Sequence, residues 1–101
     1  MKTVVDGKIL EFQALDNLVA SNLEVQTQAI KESFDKYTDL DTVILNLSNV
    51  NEIDSMGVNL VVGLYKQTQA KKMTFKVSNA SRSIINLFNL FKLTSYFEVT
   101  S

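Results

Sequence analysis

The stretch from Thr42 to Lys66 constrains this chain more than any other part of it. It opens on Val43, Ile44, Leu45 and Leu47, a short β-branched and aliphatic run. Such a run reads as a buried strand. Ser48-Asn49-Val50-Asn51-Glu52 follows and is polar and turn-prone. Ile53-Asp54-Ser55-Met56-Gly57 then leads into a helical pattern. Strand, loop and helix, with a small hydroxyl residue where the helix starts, make a place where chemistry or regulation can sit.

The rest of the chain limits what that place can do. A length of 101 residues predicts one domain, residues 1–101, with one core. Hydrophobic residues make up 46% and charged residues 21%, the balance of a folded globular domain. Ten Lys plus Arg against eleven Asp plus Glu leave a net charge of -1 and no basic stripe, so no direct nucleic-acid partner is expected. The apolar runs are far too short to span a bilayer, and MKTVVDGK lacks the apolar region of a signal peptide. The cytoplasm is the expected location. There is no His and no Cys, which removes the metal, haem and thiol sites built on them, a Ser-His-Asp triad and a phosphohistidine carrier. The glycines at 7, 57 and 63 have neither Gly-x-Gly nor P-loop spacing. No cofactor is expected, and most enzyme classes lose support.

Taken in order, the chain starts with two strand-like runs, Lys2 to Val5 and Lys8 to Phe12, around Asp6-Gly7. That dipeptide predicts an antiparallel hairpin turning on those two residues. Gln13 to Ala20 is a connection. Ser21 and Glu24 then stand at capping-box spacing before a helix whose buried face is Leu23, Ile30, Phe34 and Tyr37, with Gln26 among the residues largely on the other side. In the central helix Gly57, Leu60, Val61, Leu64 and Thr68 share one arc, the expected sheet-facing side. Ser55 lies beside Val58, Asn59, Val62 and Lys66 on the next arc. Val58 and Val62 either pack under a neighbouring element or form an apolar docking patch. Met73 to Val77 alternates as a half-buried strand, and Asn79-Ala80-Ser81 caps a third helix carrying Ile84, Leu87, Phe88 and Phe91. Leu93, Tyr96, Phe97 and Val99 close the chain as a short loop with room for a last strand. The predicted class is α/β in the order β-β-α-β-α-β-α, a mixed, mostly parallel open sheet with helices.

Leu47-Ser48-Asn49-Val50, then Ile53-Asp54-Ser55-Met56-Gly57-Val58 and Gly63-Leu64-Tyr65-Lys66, resemble the signature of STAS domains in bacterial anti-sigma factor antagonists. Asn46 stands where that family usually has Asp, Met56 replaces a small residue, and Asn59 replaces a second Gly. Asp16 fits an Asp position in the earlier connection. Together the similar segments cover most of residues 8 to 99. The resemblance implies a single STAS domain acting as a regulatory binding protein with no catalysis of its own. It implies that the unmodified form binds an anti-sigma factor serine kinase, that phosphorylation of Ser55 ends the binding, and that a phosphatase restores it. Asp16, Asp54, Met56, Gly57, Val58, Asn59, Val62 and Lys66 are the partner-binding positions this reading selects. Bulk at Gly57 is expected to disturb docking more than stability.

Bland alternatives stand beside each assignment. Ser55 can be a helix cap, or Asp54 can cap with Ser55 at the first helical position. Asp16 can be a turn residue and Gly57 a packing glycine. A second function is that of a scaffold or accessory subunit in a stress-signalling assembly or beside a lipid-transport ATPase, told apart by the partner captured. A third is a small enzyme or ligand binder using Asp16, Asp54 and Ser55, told apart by turnover without a kinase. Oligomeric state is left open.

Overall fold

The two apolar runs that begin the chain turn on Gly7. β1 (Lys2–Asp6) and β2 (Ile9–Gln13) pair antiparallel, with Asp6 opposite Ile9. The computed structural model describes every residue from Met1 to Ser101, and in it the turn is Gly7-Lys8 rather than Asp6-Gly7. Gly7 has a φ of 61°, while Asp6 stays in the ladder. A two-residue hairpin loop needs positive φ at its first central position, which glycine adopts without a Cβ clash.

The remaining strands are β3 (Thr42–Asn46), β4 (Thr74–Ser78) and β5 (Glu98–Val99). The sheet runs β1-β2-β3-β4-β5, and every pair after the first is parallel. The connections are α1 (Leu23–Lys36), α2 (Ser55–Ala70) and α3 (Arg82–Leu90). The α/β architecture expected from the sequence is therefore present, including the antiparallel first strand and the short last one.

All three helices lie on one face of the sheet. Leu10, Phe12, Val43, Leu45, Phe75 and Val77 point to that face and are buried. Phe34 of α1 meets Phe12 edge-on at 5.8 Å, and Tyr65 of α2 lies 6.4 Å from Phe75. Phe88 of α3 packs on Phe97, which in turn meets Phe75 at 4.9 Å. This aromatic cluster ties the chain's end to the core. The opposite face carries Ile9, Glu11, Ile44, Lys76 and Glu98 and has no helix over it; Lys76 and Glu98 pair across it at 3.8 Å.

Three local expectations are overturned. No capping box joins Ser21 and Glu24: Ala20–Asn22 form a 3-10 turn, and α1 starts at Leu23 with no side-chain cap. The Ala20 N–H is bound instead to Asp54, which draws Ser21 into that turn. Gln26 is buried rather than on the outer side; its amide donates to Asn17 O, Asn22 O and Asn22 Oδ1, while its Oε1 has no partner. Phe91 caps the end of α3 and is 51% exposed, so only Ile84 and Phe88 of that helix are fully buried.

Candidate functional site

The site lies where β2 and β3 end. In an open parallel sheet the loops after neighbouring strands meet at this edge. A parallel bridge between Leu18 and Ile53 continues the β2–β3 pairing into both loops. Leu18 N donates to Glu52 O at 3.1 Å, and Asp54 N donates to Leu18 O at 3.2 Å. Asn17 Oδ1 accepts from Asn51 N at 2.8 Å and Glu52 N at 3.1 Å. At the base of the second loop, Asn46 Oδ1 accepts from Ser48 N. Buried Leu47 and Val50 anchor that loop, with Val50 N bound to Leu47 O.

Asp54 ends this stitching and starts α2. Its Oδ1 accepts from Gly57 N at 2.8 Å, the N-cap bond, and its Oδ2 accepts from Ala20 N at 2.9 Å. One carboxylate therefore satisfies a helix-end donor and fixes the neighbouring loop. The N–H of Ala20 first, and that of Gly57 second, hold its carboxyl below the ordinary range, because both bonds favour the charged form. With Asp54 as cap, Ser55 is the first residue of α2 and is exposed. Of the two capping arrangements open from sequence, this is the second.

Gly57 explains the depth of the contact. It is buried, and a Cβ built on it would lie 2.0 Å from the Leu18 carbonyl oxygen and 2.9 Å from an Ile53 methyl. No real contact is that short, so α2 approaches the loop closely only because residue 57 has no side chain. The expectation that bulk here acts mainly at a docking face is corrected: bulk meets backbone inside the fold.

The other selected positions divide by exposure. Met56 is 52% exposed, and Asn59 and Lys66 are also exposed. Val62 is half-buried, whereas Val58 is only 7% exposed. Of the two readings open for Val58, packing holds, and Met56 supplies the exposed apolar group beside Ser55. Asp16 is exposed, and its carboxylate accepts from Asn17 N at 2.7 Å. The loop that carries Asp16 does touch the Ser55 loop, through Asn17, Leu18 and Ala20 rather than through Asp16.

Sequence reasoning did not place Asn17 or α3 at the site. An open cleft of about 330 Å³ separates Val19, Ile53 and Asp54 from Ser83, Ile84 and Leu87 of α3. Asn17 had a weak signal, as a turn-prone side chain in a loop that had to be anchored. The α3 wall had none, because its position depends on strand order. No group of three or more His, Cys, Asp or Glu side chains is placed to hold a metal, and no helix is long and apolar enough to cross a membrane.

Comparison with known proteins bears on this geometry. The family model of the STAS domain matches residues 4–101. No curated protein matches in sequence. Among solved structures, TM1081 of Thermotoga maritima, a candidate anti-sigma factor antagonist, has a TM-score of 0.88 at 15% identity, covering 99% of this chain and 85% of that one. The anti-sigma factor antagonist SpoIIAA in its unphosphorylated form has a TM-score of 0.71 at 19% identity, over 99% of this chain and 86% of that one. The phosphorylated form of SpoIIAA, a Bacillus cell fate determinant, gives 0.70 at 19% identity over 99% and 89%. The murine anion transporter Slc26a9 gives 0.76 at 17% identity, over 87% of this chain but 14% of the transporter. At these identities the likeness is one of fold.

Proposed function

Because this chain belongs to the STAS domain family, we propose that it acts as an anti-sigma factor antagonist, binding an anti-sigma factor serine kinase and released by phosphorylation of Ser55. The observation that carries the reading is the division of labour at the start of α2. Asp54 makes the cap, so exposed Ser55 is not needed for it and can be modified without unfolding the helix.

The physical chemistry suits a surface switch. A phosphoryl group adds about -1.5 to -2 of charge and strong acceptor oxygens. The helix N-terminus favours negative charge, while the neighbouring Asp54 opposes it. The modified residue therefore prefers full hydration outside the fold. A partner seated on Met56, Asn59 and Lys66 would have to desolvate that dianion, which costs several kcal/mol in an interface. Binding would be lost while the fold persists. That SpoIIAA has been solved in both forms, each alike in fold to this chain, is consistent with a switch of this kind. A phosphatase would reset it, and the partner kinase would supply ATP and magnesium. The chain acts as substrate and ligand, not as enzyme, and the cytoplasm is where such a partner would be met.

The test is incubation with the kinase and ATP, followed by intact-mass measurement and site mapping. One phosphate on Ser55, and none on Ser55→Ala, is the expected result. Phosphate on Ser48 or Ser81 would show that a different serine carries the switch. A second reading rests on the Slc26a9 likeness, where the same fold is a small part of a transporter. Under it the chain is an accessory or scaffold module of a larger assembly. Capture of a transport ATPase subunit instead of a serine kinase would favour it.

A further inference from the structure

We propose that the outer edge of β1 pairs with β1 of a second copy of this chain, giving an antiparallel, two-fold symmetric dimer with one continuous sheet. β1 is an edge strand whose only sheet partner is β2. Its sequence, Lys2-Thr3-Val4-Val5-Asp6, contains no proline, and its register with β2 is unbroken by a bulge. Edges left in that state are templates for pairing. Val4 and Val5 are each 38% exposed on opposite faces of this strand. The other edge, β5, has two residues and offers little ladder.

The register follows from the hairpin. With a two-residue turn, Asp6 and Ile9 form a hydrogen-bonded pair, and alternation makes Val4–Glu11 and Lys2–Gln13 the next such pairs. The backbone groups of Thr3 and Val5 then point outward. Antiparallel pairing about Val4 sets Thr3 against the partner's Val5, where the two exchange backbone bonds. Val4 meets the partner's Val4 on the two-fold axis. Lys2 faces the partner's Asp6, and symmetry repeats the contact. These are non-hydrogen-bonded positions with Cα atoms about 4.5 Å apart, where facing side chains are closest. Opposite charges across such a pair are favourable and like charges are not. Registers centred on Thr3 or Val5 shorten the ladder and set a charge against Val4. The charge pattern of the strand therefore complements itself in one register only, as an isologous interface requires.

Sedimentation equilibrium of the whole chain tests this, over roughly 10 μM to 1 mM. A reversible monomer–dimer equilibrium is expected, weaker at high salt. Val5→Pro removes an outward N–H while leaving the inner ladder bonds in place, which an edge strand tolerates. It should raise the dimer dissociation constant by about tenfold or more. Lys2→Glu and Asp6→Lys should each weaken self-association, because each sets like charges across the axis. Mixed together, the two variants should form a heterodimer at least as tight as the parent dimer. Val4→Cys, the only thiol in the chain, should be converted by added oxidised glutathione, which is reduced in the exchange, to a disulfide-linked dimer that keeps the parent circular dichroism. A chain monomeric throughout the range overturns the proposal. So does a dimer unmoved by Val5→Pro, or a charge-variant mixture that forms no heterodimer. If Val5→Pro loses its fold, the mixing experiment decides.

Discussion

Gly57 and Asp54 sit at the same loop contact and fail in different ways when changed. Gly57→Ala places a Cβ against the Leu18 carbonyl, which is backbone and is itself bound to Asp54 N. We expect a loss of at least about 2 kcal/mol by chemical denaturation, as overpacking against a fixed neighbour costs. A variant as stable as the parent would show that the loop gives way freely. Asp54 couples the site to pH. Its carboxyl titrates lower in the native state than unfolded, so its contribution is fully present above the ordinary carboxylate range. The contribution falls away from about pH 4 downward as the pH passes through the lowered native value. Asp54→Asn should lower the melting temperature at pH 7 and flatten the acid limb of the stability curve. An acid limb identical to the parent's would mean that other carboxylates set it. The sequence offered both roles only as alternatives, Asp54 as a cap and Gly57 as a packing residue. Asp before Ser announces a cap, but the second acceptor bond, to Ala20, depends on a loop distant along the chain.

At the level of elements, the strand–loop–helix of Thr42 to Lys66 was readable because every local signal agreed. An aliphatic run, a polar turn and an apolar helical period followed one another at lengths that fit a parallel unit. The start of α1 was not readable, because a tertiary bond to Asp54 overrides the Ser21–Glu24 pattern. Gln26 misled for a related reason. Polarity predicts an outer face, yet Asn17 and Asn22 supply acceptors that let its amide be buried. The end of α3 carries a cost that can be measured. Lys92 has a φ of 58°, a left-handed conformation that a side chain disfavours. Lys92→Gly should raise stability by about 1 kcal/mol, read as a shift of the denaturation midpoint at unchanged slope. A lower midpoint would mean that the lysine side chain makes a contact worth more than the strain.

For the molecule as a whole, sequential strand order with all helices on one face decides where function can sit. It gathers the loops after β2, β3 and β4 at one edge of the sheet and leaves the other face uncovered. The class and the element order were legible from periodicity. The cleft between the Asp54 loop and α3 was not, since residues 54 and 83 become neighbours only when β4 lies beside β3. Whether Val58 packs or docks was left open by the sequence, because a helical wheel gives an arc, not what covers it; the structure buries it. The proposed function is a charge switch at an exposed helix start, and affinity is its direct measure. The unmodified chain and its Ser55 phospho-form are titrated against the same kinase at fixed salt, with far-UV circular dichroism recorded for both. A charge switch gives superimposable spectra and a dissociation constant at least about 100-fold higher after phosphorylation, the equivalent of about 2.7 kcal/mol. Equal affinities for the two forms would contradict it.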